Sequence, residues 1–146
     1  MLSNLLKPNH TYDLIRLGQD NDGGYLIEKK STKKTKHLIS FGLADDWSFE
    51  KDFKKFNPET TITCYDHTVN KGYWFVYLWH NLGRLIFLKI SFKKFLGQVN
   101  KYLDYKKFFS QKDTKHFARA LGIGDLNNVI DIIEATNGLD NVPLKI

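Results

Sequence analysis

Three aspartates follow two strand-like runs of the sequence, and their carboxylates are the first groups that could do chemistry. Asp45 and Asp46 come shortly after "HLISFG", and Asp66 ends "TITCYD". Both runs are rich in apolar or β-branched residues, which is typical of strands buried in a sheet. Because the carboxyl ends of parallel strands meet at one edge of a sheet, the loops at 42–46 and 66–68 are predicted to surround one crevice.

The spacing and charge of these residues restrict the ligand that such a crevice would bind. Asp66 lies 24 residues after Gly42, a place where an acid can accept hydrogen bonds from two ribose hydroxyls. A dinucleotide also needs a phosphate site, but carboxylates at 45 and 46 would repel a pyrophosphate. S-adenosylmethionine has a ribose, no phosphate and two cationic groups, so it is the ligand that the charges favour. Alternatively, Asp45 and Asp46 only cap the helix that follows them.

A strand, a helix and a second strand form the predicted centre of the fold. Phe49, Phe53 and Phe56 share one face of the helix, and the three elements give a right-handed βαβ unit. Further patterns predict a strand in "GGYLIE", a solvated loop in "KKSTKKTK", helices over 72–109, a strand in "HFARAL", a helix in "GDLNNVIDIIEATNG" and a strand in "NVPLKI". The expected fold class is α/β, with a parallel central sheet and flanking helices. It forms a single domain over 1–146, in which 1–36 are an N-terminal lead-in and hairpin and 37–146 start the sheet.

The charge of the chain raises the question of a nucleic-acid partner, but its distribution does not favour one. The net charge is +6, and much of it lies in "KKSTKKTK" and in the lysines of 89–107. No zinc-ligand spacing or helix-turn-helix pattern accompanies these lysines, so nucleic acid is not the expected partner. The five histidines form no ligand cluster in the sequence, and a metal is not indicated. Trp47, Trp74 and Trp79 are predicted to pack in the core or at its rim.

The segment 72–109 is very apolar, but polar and basic residues interrupt it. None of its apolar stretches therefore reaches the length of about 20 residues that a membrane span needs. Covering the sheet is the preferred interpretation, and a basic amphipathic surface that touches a membrane is the alternative. The opening of the sequence lacks the pattern of a signal peptide, and the single Cys64 suits a reducing compartment. A cytoplasmic protein without a transmembrane segment is expected.

Four stretches in this order, "DLIRLGQDNDGGYLI", "LISFGLADDWSFEKDF", "ITCYDHTV" and "NVPLKI", resemble the FkbM-like S-adenosylmethionine-dependent methyltransferases. The resemblance spans nearly the whole chain and is weak over 72–109. It implies a Rossmann-like methyltransferase fold and methyl transfer to a hydroxyl of a sugar or another small molecule. Together with the charge argument, it gives six candidate cofactor-binding residues: Gly42, Ala44, Asp45, Asp46, Asp66 and His67. It also places Asp22, Gly23 and Gly24 at the entrance of the site.

The sequence departs from that family at its end, where the family's matching strand continues into an acidic residue and a nearby glycine. On this basis the fold is expected to be incomplete, the chain alone to have little or no activity, and the apolar edge at 144–146 to promote self-association. The resemblance assigns no catalytic residue. The alternative function is a non-enzymatic basic module that binds nucleic acid or acidic glycans.

Overall fold

A parallel sheet flanked by helices organises the chain. The computed structural model describes residues 11–20, 24–122, 129–130, 135–138 and 144–145. Its elements are, in chain order, β1 (Leu14–Leu17), β2 (Tyr25–Glu28), α1 (Lys29–Lys34), β3 (His37–Phe41), α2 (Ser48–Phe56), β4 (Thr61–Tyr65), α3 (Lys71–Ile86), α4 (Phe92–Phe109), β5 (Thr114–Phe117), β6 (Ala120–Leu121), β7 (Val129–Ile130) and β8 (Leu144–Lys145). The α/β class predicted from the sequence is confirmed.

The central sheet has the strand order β5-β4-β3-β8, and all of its pairings are parallel. In the register of the sheet, Tyr65 lies between Phe41 and Phe117. The carboxyl ends of β3, β4 and β5 are therefore level at one edge, as the sequence argument requires. The predicted C-terminal strand is also present, because β8 pairs with β3 at the border of the sheet. Ile146 lies outside the described residues.

Each face of the sheet packs against a different set of side chains. Leu38, Ile62 and Cys64 face α2 and α4 and belong to the larger buried cluster. That cluster includes Phe49 and Phe53, as the helical spacing predicts. On the opposite face, Ile39, Phe41, Ile130 and Ala135 form a smaller buried cluster. The alternation arises because successive side chains of a strand point to opposite faces.

An antiparallel hairpin of β1 and β2 packs on the start of α2. Leu17 is buried in the larger cluster, and the amides of Gly18 and Gln19 donate to the side chains of Asp52 and Ser48, each at 3.1 Å. A Cβ at Gly24 would lie 2.2 Å from the carbonyl oxygen of Gln19, so only glycine fits there. The hairpin predicted for the N-terminal part is thus confirmed, and it shares the core of the sheet.

The lysine-rich stretch after β2 is a short helix, α1, and the prediction of a loop is wrong there. The side-chain Nδ2 atom of Asn57 donates to the carbonyl oxygens of Thr32, Lys33 and Thr35 at 2.9, 3.2 and 2.8 Å. These bonds satisfy carbonyl groups that a helix end leaves without partners. Thr32 is buried, while the lysines at 30, 33, 34 and 36 remain exposed. The stretch is solvated on one side, as predicted.

The helices predicted over 72–109 are confirmed: α3 and α4 form a helical hairpin. Asn70 caps α3 by accepting the amide hydrogen of Tyr73, with a nitrogen–oxygen distance of 2.9 Å, and the Ser91 hydroxyl caps α4. Trp47 and Trp74 are buried, as predicted. Trp79 is 60% exposed, so its predicted place in the packing is wrong. The reason is that Trp79 lies on the face of α3 that points away from the sheet.

Two predictions for the tail need correction. The third strand begins at Thr114 and ends at Phe117, earlier than "HFARAL" suggested, and residues 120–121 pair instead with 129–130. A helix over 124–138 is therefore wrong at Val129 and Ile130, which form β7. Residues 135–136 are helical, and 123–128 and 131–134 lie outside the described residues. The apolar residues at 129 and 130 fit a strand as well as a helix, because a short apolar run does not distinguish the two.

Candidate functional site

A crevice of about 340 Å³ lies at the carboxyl ends of β3 and β4. Phe41 and Tyr65 line it together with seven residues from the loops and β6: Gly42, Asp66, His67, Thr68, Arg119, Ala120 and Leu121. The volume is at the lower end of the range for small-molecule sites. Three of the residues predicted to bind a cofactor, Gly42, Asp66 and His67, are brought together here.

Asp66 is the most constrained side chain of the crevice. It is 6% exposed, and its Oδ1 atom accepts both the amide and the hydroxyl hydrogen of Thr68, each at 2.6 Å. Its Oδ2 atom accepts the amide hydrogen of Ala44 at 2.5 Å. A carboxylate has about four acceptor positions, so one position on Oδ2 remains for a ligand.

These hydrogen bonds also decide the charge of Asp66. Burial by itself would raise the pKa of the carboxyl group, but the bonds from Thr68 and Ala44 outweigh burial, and the pKa lies below its ordinary value. The side chain is therefore ionised at neutral pH. The crevice presents a fixed negative charge next to Gly42, a position that suits hydroxyl donors or a cationic ligand.

Ala44 joins the crevice through its backbone. Its φ angle is +46°, a left-handed conformation that is uncommon for residues other than glycine. In this conformation its amide hydrogen reaches Asp66. The loop after β3 and the loop after β4 are thereby held together, and the cofactor-binding role of Ala44 stays a prediction.

Asp45 and Asp46 do not line the crevice. Asp45 forms an ion pair with Lys101 of α4. Asp46 accepts the amide hydrogen of Ser48, the first residue of α2, at 2.9 Å. The cap position itself is Trp47, which has no side-chain cap, so capping by Asp45 or Asp46 is limited to this contact. Gly24 contacts Gln19 in the β1–β2 hairpin, and Asp22 and Gly23 lie outside the described residues. The entrance role of these three residues stays a prediction.

The loop between β3 and α2 is not arranged as a phosphate cradle. Phosphate sites at helix N-termini use backbone amides that point at the ligand. Here the amide of Ala44 donates to Asp66, that of Asp46 to the carbonyl oxygen of Leu43 at 3.1 Å, and that of Ser48 to Asp46. These three amide hydrogens are therefore used within the chain.

Aromatic residues at the ends of three strands form a ladder beneath the crevice. Phe41 and Tyr65 stack with ring centroids 5.6 Å apart, and Tyr65 and Phe117 stack at 5.5 Å. The stacking of these rings was not predicted from the sequence, although each ring occupies the last position of its strand. It becomes visible once the strands are aligned at their carboxyl ends. Arg119 and Thr68 were missed as well, and only the spacing of Thr68 two residues after Asp66 could have indicated its contact.

A larger cavity of about 640 Å³ lies between α3, α4 and β5. At its wall, His116 Nδ1 lies 2.6 Å from the Tyr105 hydroxyl, and His116 Nε2 lies 3.2 Å from the carbonyl oxygen of Asp66. A carbonyl oxygen only accepts, so Nε2 carries the proton and Nδ1 accepts from Tyr105. Burial lowers the pKa of His116 and raises that of Tyr105, which keeps both groups neutral.

Comparison with protein-family models, curated proteins and solved structures finds no match to this chain. Among the described residues, no three histidine, cysteine or acidic side chains are placed to hold a metal ion. Within the same residues, no helix has the length and apolar character to cross a membrane. The function must therefore be inferred from the geometry of the crevice and the pattern of the strands.

Proposed function

We propose that the chain binds S-adenosylmethionine in the crevice at 42–68, as the cofactor-binding part of a Rossmann-like methyltransferase. The observation that carries this proposal is the parallel order β5-β4-β3-β8 with Gly42 and Asp66 at adjacent strand ends. In sequence order these strands are the third, second, first and fourth of the sheet, which is the order of the first strands in doubly wound folds. Such sheets bind ligands at the carboxyl ends of their strands.

The contacts of Asp66 support a ribose in this crevice. One ribose hydroxyl would donate to the open position on Oδ2, and the other would replace the hydroxyl of the exposed Thr68 on Oδ1. The amide bonds from Ala44 and Thr68 would stay in place and keep the carboxylate oriented. Because the nearby amides of 44, 46 and 48 are already used, a ligand without phosphates suits the site better than a dinucleotide.

The reaction that we propose is methyl transfer to a hydroxyl group of a sugar or another small molecule. Its support is the resemblance of the four sequence stretches around Gly24, Gly42, Asp66 and Leu144 to FkbM-like methyltransferases. A methyl transfer needs a bound methyl donor and an aligned acceptor oxygen. In this proposal the crevice would meet the first requirement by holding the donor.

Isothermal titration calorimetry with S-adenosylhomocysteine and with NAD tests the proposal. We expect S-adenosylhomocysteine to bind more tightly than NAD. Asp66→Asn should weaken binding by about tenfold or more, the effect of losing one hydrogen bond to a charged group. Asp46→Asn is the matched control, since it changes an aspartate that bonds the amide of Ser48 and does not line the crevice. Circular dichroism should show that both variants are folded at the temperature of titration.

Two results would overturn the proposal. The first is tighter binding of NAD than of S-adenosylhomocysteine by the unmodified chain. The second is an equal loss of affinity in Asp66→Asn and in Asp46→Asn, which would place the ligand away from the crevice.

A further inference from the structure

The far end of the α3–α4 hairpin carries exposed apolar side chains that the core does not need. We define the hairpin tip as residues 84–94, which comprise the end of α3, the turn and the start of α4. Four apolar side chains of the tip are largely exposed: Ile86 at 69%, Phe87 at 75%, Leu88 at 90% and Phe92 at 64%. Ile90 is the tip residue that is buried. The fold therefore places most of the apolar surface of the tip in water.

The same region has an unusual charge distribution. The 37 residues from 67 to 103 contain no aspartate or glutamate, but they contain six basic residues: Lys71, Arg84, Lys89, Lys93, Lys94 and Lys101. Four of these lie in the hairpin tip. Lys101 pairs with Asp45, whereas no ion pair within the described part of the chain involves the four tip cations. The tip is therefore apolar and strongly cationic at once.

The exposed apolar surface continues along the outer side of α3. Phe75, Val76 and Trp79 are each more than half exposed, and the rings of Phe75 and Trp79 lie 6.0 Å apart. Trp74 and Asn81, on the opposite side of the same helix, are buried. The inner face of α3 thus packs on the protein, and the apolar side chains of its outer face are largely exposed.

We propose that the hairpin tip docks on the surface of an anionic lipid bilayer. Apolar side chains at a convex turn can enter the boundary between headgroups and acyl chains, and adjacent lysines attract anionic headgroups. Long lysine side chains can keep their charge at the headgroup level while the backbone lies deeper. A protein partner would need a pocket shaped for the turn, whereas a bilayer accepts a convex apolar tip directly. The tip lies on the bilayer surface in this proposal and does not span it.

Vesicle flotation with the unmodified chain tests the proposal. We expect binding to vesicles of phosphatidylcholine and phosphatidylglycerol (3:1) at low salt, weaker binding to pure phosphatidylcholine, and weaker binding at high salt. Of the three tryptophans, all within the described residues, Trp79 is the exposed one. Its fluorescence should shift to shorter wavelength on binding, while Trp47 and Trp74 stay buried.

Paired variants separate the tip from the net charge. Phe87→Ser with Leu88→Asn should weaken binding by about tenfold or more. Lys89→Gln, Lys93→Gln and Lys94→Gln together should weaken it on the order of a hundredfold, since each basic residue contributes to the attraction. Lys30→Gln, Lys34→Gln and Lys36→Gln remove the same charge from exposed positions near α1, and they should leave binding close to unchanged. Circular dichroism should show that each variant is folded.

Three outcomes would overturn the proposal. An equal loss in both triple lysine variants would show a general attraction of a basic protein. Failure to bind vesicles, with a tip-dependent shift of single-stranded DNA, would assign the tip to nucleic acid. Failure to bind vesicles, with a dimer in analytical ultracentrifugation that Leu88→Asn abolishes, would assign it to a second copy of the chain. The proposal does not depend on S-adenosylmethionine binding, so the two tests can fail separately.

Discussion

The base and the tip of the α3–α4 hairpin differ in the burial of their apolar side chains and in the pairing of their charged groups. At the base, α3 starts five residues after Asp66, and β5 follows α4 with His116 beside Tyr105. Aromatic rings are packed there, and the carboxylate of Asp66 and both ring nitrogens of His116 have hydrogen-bond partners. At the tip, apolar side chains are exposed and the cations lack acidic neighbours in the sequence.

This difference concerns a helix, α3, that has more apolar residues than its buried face requires. A helix that packs on one side normally has polar residues on the other side. The residues of α3 are apolar on both sides, but only the inner side is buried. Such a helix indicates a second contact surface, and the comparison can be tested by changing matched residues at the base and the tip.

The largest expected difference is between two tryptophans of the same helix. Trp74→Ala should lower the free energy of unfolding by about 3–5 kcal/mol, because it removes a large buried ring. Trp79→Ala should change it by less than about 0.5 kcal/mol, as is usual for an exposed site. Urea denaturation followed by circular dichroism measures both values. Similar losses in the two variants would mean that the outer side of α3 is also packed.

The next effect concerns the acid at the base. Asp66→Ala should cost about 2–3 kcal/mol, because it removes hydrogen bonds to a charged group and leaves the amides of Ala44 and Thr68 without this acceptor. Asp46→Ala should cost about 1 kcal/mol, because it removes the hydrogen bond that the amide of Ser48 donates at the start of α2. The measurement is again the urea midpoint. If Asp46→Ala were the more damaging change, the crevice would not be the more constrained of the two loops.

The pH dependence of stability should also differ between a buried histidine at the base and an exposed one. Burial lowers the pKa of His116, so the unfolded chain binds a proton first as the pH falls below about 6.5. The stability that neutral His116 contributes is thus complete above that pH and is lost as the pH falls towards the pKa of the folded state. His116→Gln should flatten this part of the profile, while the same change at the exposed His80 should not. Urea midpoints between pH 7.5 and 5 measure the slopes, and equal slopes in both variants would contradict the assignment.

The smallest effect on the free energy of unfolding is expected at the tip, where the substitution should stabilise the protein or leave its stability unchanged. Leu88 has a φ angle of +53°, which asparagine adopts at a lower cost than leucine. Leu88→Asn should therefore keep or raise the free energy of unfolding, by up to about 1 kcal/mol. Ile86→Asn removes a similarly exposed side chain from the last helical position and should give no such gain. A clear loss of stability in Leu88→Asn would show that the tip supports the fold.

The sequence was sufficient for the parts of the fold that depend on local patterns. Strand β3, helix α2 and strand β4 follow from apolar runs and helical spacing, and the place of the crevice follows from the rule for parallel sheets. Helix α1 could not be predicted, because its end is held by Asn57, which lies 25 residues after Thr32. For the same reason the sequence did not predict the ion pair of Asp45 with Lys101, which lies 56 residues away.

The sequence could not predict the directions in which the side chains of the site point. Asp45, Asp46 and Asp66 were all predicted to bind the cofactor, but of the three only Asp66 lines the crevice. Likewise, Trp74 and Trp79 differ by five positions and lie on opposite sides of α3. Which side of a helix meets the sheet is decided by packing over long distances in the chain, and local spacing does not contain that information.

Helix α3 separates the crevice from the hairpin tip, and the two regions differ in their chemistry. It has 16 residues, which corresponds to about 24 Å at the helical rise. With the tip held at a surface, the crevice would stand at most about that far above it, and closer if α3 is inclined. A substrate would then have to extend from the surface or diffuse in solution to reach Asp66, and the length of α3 would select acceptors by their reach as well as by their chemistry.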